Sequence, residues 1–168
     1  SLASRVSVLP VGAGDSDRQA PLFAAHSNAG NSVIGRFTSL DNESSHFISR
    51  VDVRRMDPVL ALDHRRPVGL MKIDAQGFEC NVLRGMRTAL ASGAVRAITM
   101  EVSEVFLANH ECSELALKDL LQQSGYAVQV TTVDLTASRA ESTLFAVHAS
   151  AGSSEDLAWW AKGGFRGK

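Results

Sequence analysis

The stretch LMKIDAQGFECNVLRGM, residues Leu70 to Met86, decides the fold class of this 168-residue chain. An apolar run leads into Asp74, the chain turns at Gly77, and apolar residues then recur at helical spacing. This order predicts a strand, a tight turn that carries an acid, and an amphipathic helix. In open α/β sheets, ligands bind outside the carboxyl ends of the strands, so an acid at that turn can reach a ligand. The alternative is that Asp74 and Gln76 cap the helix, which is the commonest use of such residues before a helix.

Composition limits the classes of protein to which the chain can belong. The 17 basic and 18 acidic residues nearly balance, so no global field favours nucleic acid or anionic lipid as a partner. No apolar run approaches the ~20 residues that span a bilayer, and no signal-peptide pattern opens the chain. Cys80 and Cys112 are far apart and in no metal spacing, which argues against a disulfide scaffold and fits a reducing compartment. Both are expected to be packed thiols rather than nucleophiles. We therefore expect a cytoplasmic protein with no nucleic-acid or membrane partner.

Apolar periodicity predicts the remaining elements. The predicted strands are residues 5–11, 21–25, 32–37, 47–54, 68–73, 94–102, 126–132 and 142–148, and the predicted helices are 58–62, 76–91 and 113–124. Ser113 is the expected cap of the last helix, and Gly93 and Gly125 are the expected helix stops. The run 68–73 is typical of a strand buried on both faces, which predicts a central position in a parallel sheet. This order indicates an α/β domain over residues 1–149 whose last two strands form an antiparallel pair.

Residues 150–168 form a tail of different character. A Ser/Gly linker leads to a short predicted helix that contains Trp159 and Trp160. The two Trp residues either dock on the sheet domain or form a surface patch that binds a partner.

The residues from 68 to 102 resemble the C-terminal half of the FkbM-type methyltransferases. In that family an apolar-K-I-D strand is followed by x-E-G-x-E and by a helix with V-L-R-G. The matching residues are Lys72, Ile73, Asp74, Gln76, Gly77, Glu79, Val82, Leu83, Arg84 and Gly85, followed by the strand that ends Met100-Glu101-Val102. Gln76 departs from the pattern, because the family usually has an acid there. More weakly, RVSVLPVGAGDSD resembles the family's third strand and its turn, and VDVRRMDPVL resembles a strand that ends at Asp57.

The resemblance implies a Rossmann-like methyltransferase sheet, mostly parallel with an antiparallel C-terminal strand. Because the similarity covers only the back half to two thirds of that domain, we expect a fragment without the first strands. The open sheet edge would then favour oligomers. In a rival alignment, Val11–Asp15 is the Gly-rich loop itself and Asp41 the ribose acid. Asp41, however, lies farther beyond the loop than the usual ~20 residues, and Pro21 interrupts the place of the expected helix.

The resemblance also implies a reaction and a cofactor. The reaction is transfer of a methyl group from S-adenosylmethionine to a hydroxyl of a small-molecule or glycan acceptor. The residues implied for cofactor binding are Gly14, Asp15, Asp74, Gln76 and Gly77. The competing hypothesis is a noncatalytic methyltransferase-like module that binds a partner.

Three acids are the catalytic candidates. Asp74 is the first candidate for orienting or deprotonating the acceptor hydroxyl. Glu79 and Glu101 are the others, and each has a structural alternative. Glu79 suits the positive end of the helix dipole, and Glu101 can pair with a neighbouring Lys or Arg. No metal site is expected, since the five histidines show no metal spacing.

Overall fold

The computed structural model describes residues 5–25, 32–35, 45–60, 67–133 and 141–152, which form two four-stranded sheets and five α-helices. The strands are β1 (Gly12–Gly14), β2 (Arg18–Ala25), β3 (Ser32–Ile34), β4 (Ser45–Arg55), β5 (Met71–Ile73), β6 (Ala97–Ser103), β7 (Tyr126–Val133) and β8 (Glu141–His148). The helices are α1 (Met56–Leu60), α2 (Glu79–Gly85), α3 (Arg87–Ala91), α4 (Glu104–Ala108) and α5 (Glu114–Gln123). The α/β class is confirmed. Trp159 and Trp160 lie outside the described residues.

The first sheet has the strand order β1-β4-β2-β3, with β1 parallel to β4 and the other pairs antiparallel. The predicted strand at 5–11 is wrong, because the strand at this end of the chain is β1. Val6 and Val8 are 64% and 82% exposed, so these apolar side chains do not pack against a hydrophobic core. The rival alignment of Val11–Asp15 is also wrong, since the hairpin strand β2 follows it where a dinucleotide loop requires a helix.

The second sheet has the strand order β5-β6-β8-β7. Strands β5 and β6 are parallel, whereas β8 is antiparallel to both of its neighbours, which confirms the predicted closing pair. The expectation of a mostly parallel sheet is wrong for the described strands. In the first sheet β2 is antiparallel to both β3 and β4, and in the second sheet β8 is antiparallel to both β6 and β7. The central position expected for 68–73 is likewise wrong. Among the described strands β5 pairs with β6 alone and ends the sheet.

The helix predicted over 76–91 is two helices, α2 and α3. The break falls at Met86, whose backbone angles are φ −121° and ψ 26°. The signals at the helix ends are confirmed. The Ser113 hydroxyl accepts the N–H of Ala116 at 3.1 Å at the start of α5, and Gly93 and Gly125 take positive φ values of 67° and 89° after α3 and α5.

The main hydrophobic core lies between the second sheet and helices α2 and α5. It contains fully buried aliphatic side chains from each layer, among them Leu83, Ile98, Leu117, Leu121 and Leu144. Burial of such a side chain stabilises the fold by about 1.5–3 kcal/mol relative to its exposure. This core fixes α2 on the sheet and thereby the loop that joins β5 to α2.

The two cysteines are bonded to each other, so the expectation of two packed thiols is wrong. Cys80 on α2 and Cys112 before α5 form a disulfide with a Cα–Cα distance of 6.2 Å. Both residues are buried, as expected of packed cysteines. The packing of α2 against α5 brings the two cysteines together. Their spacing in the sequence does not indicate this contact.

Candidate functional site

Two predicted acids meet at the carboxyl ends of the parallel strands β5 and β6. Asp74 follows β5, and Glu101 lies on β6 one residue beyond Met100, the partner of Ile73 in the ladder. The Nζ atom of Lys72 lies 3.2 Å from Oδ2 of Asp74 and 3.1 Å from Oε1 of Glu101. Hydrogen bonds to Glu101 and then to Asp74 raise the pKa of Lys72. The lysine therefore holds two carboxylates at one edge of the sheet.

Gln76 holds Asp74 from the opposite side. Its Nε2 atom donates to Oδ1 of Asp74 at 3.0 Å, so Lys72 and Gln76 occupy one oxygen each. The backbone of Gln76 has a positive φ of 48°, an uncommon conformation for a non-glycine residue. A carboxylate at this position would place a like charge beside Asp74, whereas the amide donates a hydrogen bond to it.

Two buried residues, Gly77 and Glu79, hold the loop between β5 and α2 in its conformation. Gly77 has a φ of 99°, and a Cβ atom there would lie 2.3 Å from the carbonyl oxygen of Phe106. Oε1 of Glu79 accepts the backbone N–H groups of Ala75 at 3.0 Å and of Gly77 at 3.2 Å. Glu79 thus takes a positioning role, while Asp74 and Gln76 extend outward from the same loop.

Glu79 is nevertheless unusual for a structural acid. It is 1% exposed, and its Oε2 atom has no hydrogen-bond partner among the described residues. Burial raises the pKa of Glu79 even though the backbone hydrogen bonds lower it. A cavity of about 20 Å³, lined by Gln76, Gly77, Glu79, Glu101 and Phe106 among others, adjoins it. That volume suits one water molecule.

Gly14 and Asp15 lie at the end of β1, away from these contacts. Gly14 is buried, and its carbonyl oxygen would lie 1.7 Å from a Cβ atom built on Gly85, so β1 and α2 touch through backbone. Asp15 forms an ion pair with Arg18 at 2.6 Å. Burial raises the pKa of Asp15, but the hydrogen bonds from Arg18 and Ser16 and the charge of Arg18 outweigh it and lower the value.

A groove of about 270 Å³ lies beside Asp74, and Gly14 and Asp15 do not line it. Its lining includes Asp74 and Ala75 together with Ala13, the residue before Gly14. The rest of the lining is mainly apolar and comprises Met56, Leu60, Met71, Lys72, Ile73, Val82 and Met86. The groove is therefore mainly apolar, with the Lys72–Asp74 ion pair at one part of its lining.

Lys72 is not among the predicted site residues, although its spacing from Asp74 points to it. Lys72 and Asp74 are two residues apart at the end of a strand, and side chains at that spacing lie on one face of a sheet. The contact of Lys72 with Glu101 follows only from the pairing of β5 with β6.

A family model described as "Methyltransferase FkbM domain" matches residues 4–128. The chain belongs to this family. The match includes every residue of the FkbM motif and every predicted site residue, so the resemblance carried by Lys72 to Gly85 is confirmed. No curated protein and no solved structure matches the chain. Within the described ranges of this FkbM-family chain, the helices are too short or too polar to cross a membrane.

Proposed function

We propose that this FkbM-family chain carries out S-adenosylmethionine-dependent transfer of a methyl group to a hydroxyl of a small molecule or glycan. The observation that supports this most is the position of Asp74, which Lys72 and Gln76 hold at the carboxyl end of β5 beside the apolar groove. We further propose that the second sheet corresponds to the C-terminal part of a Rossmann-like methyltransferase sheet. Its parallel pair β5–β6 and antiparallel strand β8 support that assignment.

The groove residues fit the proposed cofactor. The mainly apolar lining suits the nucleoside part of the cofactor. Gly14, Asp15, Asp74, Gln76 and Gly77 are the residues proposed to hold it. When bound, S-adenosylmethionine supplies a methyl group on a positively charged sulfonium.

The residues of the chain have separate parts in the proposed reaction. Asp74 orients the acceptor hydroxyl and takes up its proton, a contribution typically of 10²–10⁴-fold for general-base catalysis. Lys72 and Gln76 keep the Asp74 carboxylate in place. Glu101 provides a second carboxylate beside the acceptor, and Glu79 maintains the loop that carries Asp74.

The first experiment is calorimetric titration of the 168-residue chain with S-adenosylmethionine and S-adenosylhomocysteine. We expect saturable binding near one equivalent. Absence of binding by folded protein would support the noncatalytic alternative instead.

The second experiment compares Asp74→Asn with Asp119→Asn, a matched change at an exposed acid on α5. Release of S-adenosylhomocysteine is measured over a panel of hydroxylated acceptors. We expect Asp74→Asn to lower the rate about 100-fold or more without a change in the circular dichroism spectrum. Asp119→Asn should keep the rate of the unmodified protein. Equal rates in the two variants would remove Asp74 from the mechanism.

A further inference from the structure

The turn between α4 and α5, residues 109–112, is joined to α2 by the Cys80–Cys112 disulfide. We call it the bonded turn. Its backbone is hydrogen-bonded to the end of α4, because the N–H groups of His110 and Cys112 both donate to the carbonyl of Leu107, at 2.9 and 3.1 Å. The disulfide adds a covalent link from this turn to α2.

The bonded turn contains a backbone conformation that is unfavourable by itself. Glu111 has a positive φ of 53°, a region that residues other than glycine rarely adopt because the side chain crowds the backbone. Such a conformation persists only where the surrounding structure imposes it. The covalent bond at the next residue, Cys112, provides that constraint. Loss of the bond would therefore leave Glu111 free to return to a more favourable conformation.

Two polar atoms beside the disulfide are also unfavourable in this arrangement. Oδ1 of Asn81, the residue after Cys80, and Nε2 of His110, in the bonded turn, are closed to solvent and have no hydrogen-bond partner among the described residues. A buried polar atom without a partner costs free energy that contact with water would recover. Both residues line the concavity between β2 and the bonded turn, so movement of the turn would admit water to them.

The disulfide offsets these costs while it is intact. A cross-link across a sequence separation of 32 disfavours arrangements in which the turn lies away from α2. Once the bond is broken, the conformation of Glu111 and the two unpaired atoms still oppose closure of the turn. The redox state of the two cysteines therefore decides whether the turn is closed or open.

The same segment supports the loop that carries Asp74. The carbonyl oxygen of Phe106, on α4, lies so close to Gly77 that no Cβ atom fits there. The imidazole ring of His110 packs edge-on against Phe78, with ring centres 4.9 Å apart. Gly77 and Phe78 both belong to the loop between β5 and α2. Opening of the bonded turn would withdraw part of the support of this loop.

We infer that the Cys80–Cys112 bond is a redox switch, whose oxidised form closes the bonded turn against the loop that carries Asp74 and whose reduced form opens it. This inference rests on the proposed function only where the switch is taken to control methyl transfer. The reductant is a dithiol. The exposed side chain of Glu111 places the turn at the surface, and Cys112 is 7% exposed whereas Cys80 is fully buried, so Cys112 is the cysteine that a thiolate attacks.

The reaction is thiol–disulfide exchange in two steps. One thiolate of the dithiol forms a bond with Sγ of Cys112, the bond between the two cysteines breaks, and Cys80 leaves as a thiolate that takes up a proton. The second thiol of the dithiol loses its proton, attacks the mixed disulfide and releases Cys112 as a thiol. The chain gains two thiols, and the dithiol becomes a disulfide.

The test is amide hydrogen exchange of the whole chain, followed by NMR without cofactor, in oxidised and in reduced dithiothreitol. The amides of His110, Glu111 and Cys112 report on the bonded turn. The amides of Ser124 and Gly125 are the internal control, because they are hydrogen-bonded in the turn at the opposite end of α5. We expect reduction to speed exchange in the bonded turn about tenfold or more, within the equilibrium factor of a typical disulfide, and to leave the control amides unchanged. Reoxidation should restore slow exchange.

Three outcomes would overturn the inference. Unchanged exchange after reduction would show that the turn stays closed without the bond. Equal acceleration at Ser124 and Gly125 would show that the disulfide stabilises the whole fold and does not switch one turn. Alkylation of both cysteines in the oxidised sample, detected by mass, would show that the bond does not form.

The amide of Phe78 reports on the loop that carries Asp74, since it donates to the carbonyl of Ala75 at 3.1 Å. We expect its exchange to become faster on reduction as well. An unchanged rate at Phe78 would contradict the link between the bonded turn and this loop.

Two variants at one position test the part played by the backbone. Glu111→Gly removes the cost of the positive φ, whereas Glu111→Ala removes the carboxylate and keeps that cost. We expect Glu111→Gly to hold the turn closed more often after reduction, so its exchange responds less to dithiothreitol. Glu111→Ala should respond as the unmodified chain does. Equal responses in the two variants would show that the conformation of Glu111 does not favour opening, and would overturn the balance on which the switch depends.

The outcomes also separate this inference from the proposed function, because the exchange experiment contains no cofactor. A chain that switches but does not bind S-adenosylmethionine in either redox state would retain the switch and reject the methyltransferase proposal. Cofactor binding with unchanged exchange in the bonded turn would do the reverse.

Discussion

Glu79 holds the backbone of Gly77 from inside the protein: its Oε1 atom accepts the Gly77 N–H at 3.2 Å and the Ala75 N–H at 3.0 Å. The acid thus replaces the hydrogen bonds that a regular strand or helix would provide for these two residues. Because Asp74 precedes this pair directly, the position of the proposed base depends on a buried carboxylate.

We expect Glu79→Ala to lower the free energy of unfolding by about 2–4 kcal/mol, since two shielded N–H groups lose their acceptor. Glu79→Gln keeps an acceptor oxygen, so its loss at neutral pH is smaller. Urea unfolding of both variants measures the difference. Equal losses would show that the hydrogen bonds to Ala75 and Gly77 do not stabilise the loop.

The same residue predicts a pH dependence. Burial raises the pKa of Glu79 above its ordinary value of 4.5, so the folded protein retains this proton more strongly than the unfolded chain. That contribution to stability is complete below 4.5 and is lost as the pH rises through the folded-state value. The stability of Glu79→Gln relative to the unmodified protein should therefore increase with pH above 4.5. A difference that is constant from pH 4 to 8 would contradict the raised pKa.

Gly77→Ala is expected to destabilise the fold by about 2–4 kcal/mol. The residue combines a positive φ of 99° with a carbonyl oxygen of Phe106 at 2.3 Å from any Cβ atom. Gly69→Ala is the matched control, because a Cβ atom at Gly69 meets nothing within 4 Å. Thermal unfolding should distinguish the two changes clearly. A Gly77→Ala protein as stable as Gly69→Ala would show that the loop has room to rearrange.

Asp57 caps α3 across the fold. Its Oδ2 atom accepts the N–H of Thr88 at 3.1 Å, and its Oδ1 atom accepts that of Ala89 at 3.0 Å. Helix α3 has no side-chain cap of its own at Met86. We expect Asp57→Ala to reduce stability by about 1–2 kcal/mol and Asp57→Asn by less, as measured by chemical denaturation. A neutral effect of Asp57→Ala would mean that water replaces the carboxylate at both N–H groups.

The disulfide should contribute strongly to stability. It connects Cys80 to Cys112 across a sequence separation of 32, for which loop-closure entropy corresponds to about 3–4 kcal/mol. We expect dithiothreitol to lower the urea midpoint of the unmodified chain and to have no effect on the Cys80→Ala/Cys112→Ala double variant. An unchanged midpoint in the unmodified chain would show that the thiols are not bonded in solution.

The elements that the sequence predicted correctly are those set by neighbouring residues. Apolar alternation located β4, β7 and β8, and the Ser113 cap and the Gly125 stop delimited α5. The motif from Lys72 to Gly85 identified the family, because its residue types and spacing are themselves the signal. Predictions failed where a pattern lacked a partner in space, as at Val6 and Val8, whose alternation faces solvent.

The sequence by itself therefore determined the α/β class, the family and the group of acids near Asp74. Only the tertiary structure determined the ion pair of Lys72 with Glu101, the disulfide and the Asp57 cap of α3. Each of these contacts joins residues that are distant in the chain. They can therefore be predicted only once the packing of the helices and strands is known. Local periodicity reports which face of an element is apolar, but the partner of that face is decided by the packing of the whole domain.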